Sequence, residues 1–165
     1  MSFKTLPLLF ALATSTLILA QEKGLNRKKV SPIIQKHIAN LYPNATHIRY
    51  YIEREDSLSY IECDFHLNKE EYSLKFLNEK LVETELELGF DELPSDVQTS
   101  IMIYLRNKNS DYKILECQEV NPGQNAIYEI NVKIPGDQYY EYFFDKKGQF
   151  IRRNEEVIAP IPSQF

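Results

Sequence analysis

Glycine is scarce in this 165-residue chain: there are five, at positions 24, 89, 123, 136 and 148, and each stands alone. A phosphate cradle needs several glycines within one short loop, so nucleotide chemistry of the loop-and-helix kind is excluded. Basic side chains are also in the minority, 19 against 24 acidic ones. Lys4 is the only charge in the first twenty residues, so the remainder carries 18 basic and 24 acidic groups, a net −6. Phosphate contacts require a basic face, which excludes nucleic acid as a partner and disfavours an anionic membrane surface. Gly-x-Ser-x-Gly, His-Glu-x-x-His and Cys-x-x-Cys are all missing. No catalytic residue, cofactor or metal is therefore expected, and the chain reads as a non-enzyme.

Long apolar runs are limited to one, Leu6 to Ala20, ended abruptly by Gln21, Glu22 and Lys23. It is too short for a confident membrane span and reads as a secretory signal over residues 1–20, cleaved after Ala20. No cysteine follows it, so lipid attachment is excluded and a soluble, monomeric periplasmic or secreted protein is expected, without membrane insertion once the signal is removed. Residues 21–29 are polar and basic and read as a flexible lead-in. Cys63 and Cys117 are the only cysteines. An oxidising compartment would favour a disulfide between them, whereas the alternation of Cys63 with Ile61, Phe65 and Leu67 favours two buried thiols.

What is present is an internal similarity between residues 30–88 and 93–155, joined by a linker at 89–92 and followed by a tail at 156–165. Each half opens with a proline near a helix start, Val30-Ser31-Pro32 and Leu93-Pro94-Ser95, and Ser95 with Gln98 has capping-box spacing. Ile34, Ile38 and Leu41 recur at helical spacing, as do Val97, Ile101 and Tyr104, at a constant offset of 63. The period then switches to two. An offset of 67 pairs Cys63 with Ile130, Phe65 with Val132, Leu67 with Ile134, Tyr72 with Tyr139 and Phe76 with Phe143. The four extra residues fall in the turn Asn121-Pro122-Gly123-Gln124. The fold class expected is α+β: two tandem repeats of one helix plus four antiparallel strands, sharing a sheet with helices on one face and the other face open.

This pattern resembles the PepSY-like exported proteins of the Bacteroidetes, whose fold is similar to the beta-lactamase inhibitor protein. The resemblance is carried by Leu93-Pro94, Tyr128-Glu129-Ile130 and Phe144-Asp145-Lys146-Lys147-Gly148, with weaker counterparts at Tyr60-Ile61 and Phe76-Leu77-Asn78. Such proteins commonly carry a tryptophan in the first strand; this chain has none, and Tyr50 or Tyr51 stands nearest that place. The resemblance implies no catalytic residues. It suggests a protein or peptide partner in the cell envelope, and inhibition of a hydrolase by analogy of fold alone.

The candidate binding residues are Tyr140, Tyr142, Phe144, Tyr51 and His66. Two phases are open for the strand that carries the first three. If it keeps the phase of Tyr72, Leu74 and Phe76, then Glu141 points to the core and Tyr140, Tyr142 and Phe144 line the open face as an aromatic stripe. A slip of one residue would bury all three and turn Tyr139 and Glu141 outward. His66 alternates with Glu62 and Asp64, facing away from Cys63 and Phe65, in what reads as a solvated polar patch. His37 lies on a helix stripe, and Glu53, Glu55 and Asp56 read as a solvated turn rather than a catalytic pair.

Overall fold

The structure, a computed structural model, describes residues 23–55, 57–123 and 125–156. The expected signal and its cleavage point lie outside these residues, as does nearly all of the expected tail. The elements run β1 Lys23–Gly24, α1 Pro32–Leu41, β2 Thr46–Glu55, β3 Leu58–Leu67, β4 Glu70–Leu77, β5 Lys80–Glu87, α2 Ser95–Lys108, β6 Lys113–Val120, β7 Ile127–Ile134, β8 Gln138–Phe144 and β9 Phe150–Glu156. All nine strands form one sheet in sequence order, every neighbouring pair antiparallel. The fold is α+β, a meander whose connections are short turns except where α1 and α2 intervene.

From Lys23 on, the expected lead-in carries regular structure rather than a flexible segment. Lys23 and Gly24 pair with Ile52 and Tyr51, and Arg27–Lys29 form a single 3-10 turn capped by the Asn26 side chain. The residues expected as a linker behave likewise, with Phe90–Glu92 forming a second 3-10 turn. Each turn feeds a helix whose fourth residue is a glutamine. Gln35 Nε2 donates back to Arg27 O and Val30 O, and Gln98 Nε2 donates to Asp91 O and Leu93 O. Ser31 caps α1 as expected, its oxygen accepting from Ile33 N–H. The expected Ser95 box does not form: Pro94 occupies the cap position and Gln98 is committed to the preceding turn.

In-register partners of an antiparallel pair share a face, so the register shows what each face carries. Cys63 opposes Leu74, and on the far side of the sheet Cys117 opposes Ile130, which opposes Tyr142. The central pair β5 and β6 carries the phase across through Leu86 opposite Glu119, so both helices cover the same face. Two buried clusters lie beneath them. Ile34 and Ile38 of α1 pack on Tyr50, Cys63, Phe65, Leu74 and Phe76. Val97, Ile101 and Leu105 of α2 pack on Cys117, Ile130, Val132, Tyr142 and Phe144. Leu41, expected on the inner stripe, is 58% exposed because α1 ends there. Both cysteines are free thiols, one in each cluster.

The aromatic stripe faces the core. Tyr142 and Phe144 are 1% and 0% exposed and Tyr140 only 9%, so of the two phases left open the buried one holds, and these three candidate binding residues do not stand on the open face. The cause is one loop residue. β3 and β4 are joined by the two-residue turn Asn68-Lys69, both at positive φ, between the partners Leu67 and Glu70. β7 and β8 are joined by three residues, Pro135-Gly136-Asp137, between Ile134 and Gln138. The offset of 67 therefore holds up to Ile134 and becomes 68 after it, so Tyr142 rather than Glu141 takes the inward place of Leu74.

Candidate functional site

The second face of the sheet is covered by no helix among the described residues, and strand alternation decides what stands on it. In β3 and β4 the outward residues are Glu62, Asp64 and His66 opposite Lys75, Ser73 and Glu71. In β5 they are Glu83, Glu85 and Glu87, with Glu83 opposite Lys75 and Glu85 opposite Ser73. Across the central pair, Glu87 opposes Gln118, which opposes Glu129, which opposes Phe143, which opposes Arg152. Beside that row runs another, Glu116, Asn131, Glu141 and Asn154. The face thus carries carboxylates on every strand from β2 to β8.

In the first half these acids are laced with cations. Arg49 of β2 lies 3.9 Å from Asp64 and 3.7 Å from Glu71, and Lys75 lies 3.0 Å from Glu53 and 3.5 Å from Glu83. Burial alone would pull the Lys75 ammonium down, but Glu53, Glu85 and Glu83 more than offset it and hold its pKa above the ordinary value. Ser73 Oγ donates to Glu62 at 2.8 Å.

The middle of the face is less well compensated. Glu85 and Glu129 are only 8% and 9% exposed. Burial first, then mutual repulsion and that of neighbouring acids, pushes both carboxyls well above the usual range, with Lys75 only partly opposing the shift. Burial also raises Glu116, although Asn131 Nδ2 donates to its Oε2 at 2.9 Å. Glu71 rises to about 8, by burial and by a hydrogen bond shared with Glu87.

Tyr51 and His66 do stand on the open face, Tyr51 opposite Glu62 and both half-buried. The His47 ring meets that of His66 edge-on at 5.4 Å. Tyr140, Tyr142 and Phe144 are separated from them by the thickness of the sheet, so the five residues do not form one site. Glu85, Glu87, Glu116, Glu129 and Asn131 were not singled out from sequence. Their signal was nonetheless available: Glu83, Glu85 and Glu87 alternate with Thr84 and Leu86, and Glu129, Asn131 and Lys133 alternate with Ile130 and Val132.

The chemistry offered is acceptor chemistry. Carboxylate oxygens and an amide oxygen dominate, while the two thiols are buried under the helices and pushed by burial up to about 12. A thiol with that pKa is protonated near neutrality and is no nucleophile. No helix of the described residues is long and apolar enough to cross a membrane.

No family model matches the chain, and no curated protein does. Solved structures do. A DUF2874 family protein from Bacteroides uniformis is 19% identical with a TM-score of 0.60, over 76% of this chain and 89% of its own. A protein proposed to be periplasmic, from Bacteroides eggerthii, is 22% identical with a TM-score of 0.60, over 76% and 88%. A BLIP-like protein from Bacteroides fragilis is 22% identical with a TM-score of 0.58, over 82% and 92%. At these identities the likeness establishes the fold, which is BLIP-like.

Proposed function

We propose that this chain is an exported, non-enzymatic binding module that receives a protein or peptide partner on the open face of its sheet. The observation that carries the reading is the asymmetry of the sheet: both helices lie on one face, and the other presents polar and charged side chains across all of its long strands. An antiparallel sheet can leave one face to water, but water does not require a face on which carboxyls are nine-tenths buried and pushed out of their ordinary titration range. The periplasmic description of one structural neighbour and the apolar run at 6–20 support export. The matching order of 3-10 turn, helix and four strands, together with the Gln35 and Gln98 brackets, supports a tandem repeat of one unit, in keeping with the PepSY-like resemblance.

The test is site-directed photocrosslinking in the envelope of the source organism. His66 on the open face and Ile103, 56% exposed on α2, are replaced in turn by p-benzoylphenylalanine in the full chain. A discrete crosslinked protein from position 66 and none from position 103 is expected. Crosslinks from 103 alone, or from neither, would remove the reading.

A further inference from the structure

The two halves of the open face differ in one respect: among the described residues the first pairs its acids with cations of its own, whereas no ion pair holds Glu116, Glu129 or Glu141. Arg49 and Lys75 each stand between two carboxylates of the first half. By register the counterpart of Arg49, next to Tyr50 opposite Cys63, is Glu116, next to Cys117 opposite Ile130. Lys75, one residue beyond Leu74, has its counterpart in Phe143, one residue beyond Tyr142. An arginine has become a glutamate and a lysine a phenylalanine, while the acids Glu116, Glu129 and Glu141 are kept together in adjoining rows. Of the cations that register puts on this face of the second half, Arg152 lies over the Phe143 ring at 3.5 Å and donates to Asn154, Lys133 is paired with Asp137, and Lys113 stands opposite Lys133 at the end of β6.

A second, independent feature lies in the same rows. Asn131 is 5% exposed, its Nδ2 is fixed on Glu116, and its Oδ1 is buried without a hydrogen-bond partner. A buried acceptor with no donor is left at a net cost in free energy. Its neighbours along the row, Glu116 and Glu141, are acceptors when ionised, so an incoming N–H group would satisfy it. The carboxylates are spread over rows about 7 Å apart along the strands, a spacing that fits a long side chain better than an ion's coordination shell. Among the described residues no three His, Cys, Asp or Glu side chains converge to hold a metal.

We propose that the rows over the second half receive a lysine or arginine side chain carried on an extended segment of the partner, with Glu116, Glu129 and Glu141 around the cation and Asn131 Oδ1 accepting one of its N–H groups. The inference rests on the open face being the partner surface. The incoming cation takes the role that Arg49 and Lys75 play internally in the first half. The cation opposes the upward shift that burial gives the Glu116 and Glu129 carboxyls, so binding favours their ionised forms and releases protons wherever they are partly protonated.

Titration calorimetry on the full chain tests it, using a capped decapeptide of alternating arginine and threonine and the same peptide with citrulline for arginine. Citrulline keeps the shape and removes the charge. The arginine peptide is expected to bind at least about tenfold more tightly, to weaken between about 50 and about 200 mM salt, and to release protons in buffers of different ionisation enthalpy. Glu129→Gln and Glu141→Gln should each weaken it about tenfold, and Asp111→Asn, away from the rows, should leave it unchanged. Glu129→Gln removes a buried charge, so it should melt no lower than the wild type. Equal affinity for the citrulline peptide, unchanged binding in both variants, or calcium binding without a peptide signal would overturn the inference. A crosslink from position 66 that persists undiminished in Glu129→Gln would leave the open-face reading standing without the cation; loss of that crosslink in every form would remove both.

Discussion

At the scale of single residues the inner and outer faces carry opposite liabilities. Tyr142 is buried beneath α2, its ring edge-on to Tyr104 at 6.2 Å and its hydroxyl accepting from Asn109 Nδ2 at 3.1 Å. Truncating such a ring leaves a cavity that the packed neighbours fill only in part. Tyr142→Ala should therefore cost about 3 to 5 kcal/mol in a urea titration, and Tyr142→Phe, which loses the hydroxyl's contacts with Asn109 and Arg153, about 1 kcal/mol. Glu129 is the reverse case, a charge that the fold keeps at a cost. Glu129→Gln removes both desolvation and the repulsion from Glu141 and Glu85, and should raise stability near pH 8 by about 1 to 3 kcal/mol. A lower melting temperature for that variant would show that the carboxylate is compensated by a partner within the fold.

At the scale of elements, turns decide where strands point. Gly148 closes the β8 to β9 connection at φ 73°, and a Cβ there would stand 2.8 Å from Ser100 Cβ and 2.9 Å from Val97 O on α2. Gly136 also has positive φ, 87°, but a Cβ there meets nothing within 4 Å. Both alanine substitutions carry backbone strain of about 1 kcal/mol, and only Gly148→Ala adds a clash with helix backbone. Gly148→Ala should be the more damaging of the two by at least about 1 kcal/mol, read from paired thermal melts. Equal losses would mean that strand and helix separate without cost. Asn68-Lys69 and Asn78-Glu79 make their turns at positive φ with no glycine at all, which is why composition alone understates how many tight hairpins the chain contains.

At the scale of the whole molecule, the carboxyls of the open face set the dependence on pH. Glu71 titrates at about 8 in the fold, against an ordinary value of 4.5, and Glu85 and Glu129 move in the same direction. When the folded pKa is the higher one, the native state binds more protons between the two values, so stability falls as pH rises through that window. The chain should melt at a higher temperature near pH 5.5 than near pH 8.5, and a basic partner should narrow the gap. A melting temperature that climbs across this window would contradict the protonation argued for the face. The same scale governs cooperativity. The halves are joined by Glu85 to Glu87 opposite Val120 to Gln118 and by hydrogen bonds from Leu88 to Cys117 and from Asn121 to Thr84, and have separate buried clusters, yet a fragment of residues 21–90 would leave the β5 edge unpaired. That fragment should aggregate or stay molten, and a sharp monomeric melt would show two independent domains.

The α+β class, two amphipathic helices, a meander of antiparallel strands and a helix-free face are all legible in the sequence, because each follows from local periodicity: 3.6 for Ile34 and Ile38, two for Cys63, Phe65 and their outward neighbours Glu62 and Asp64. The phase of β8 is not legible in the same way. In Tyr139-Tyr140-Glu141-Tyr142-Phe143-Phe144 nearly every position is aromatic, so alternation carries no information, and one added loop residue between Ile134 and Gln138 turned the stripe inward. Nor is the acidic site legible as a site. Glu85, Glu116, Glu129 and Glu141 come from four strands spread over 57 positions, and only pairing in register makes neighbours of them. Periodicity is a property of consecutive residues and is written in the chain, whereas charge crowding and the loss of water around a carboxyl are properties of neighbours brought together by the sheet, and tertiary structure alone supplies those.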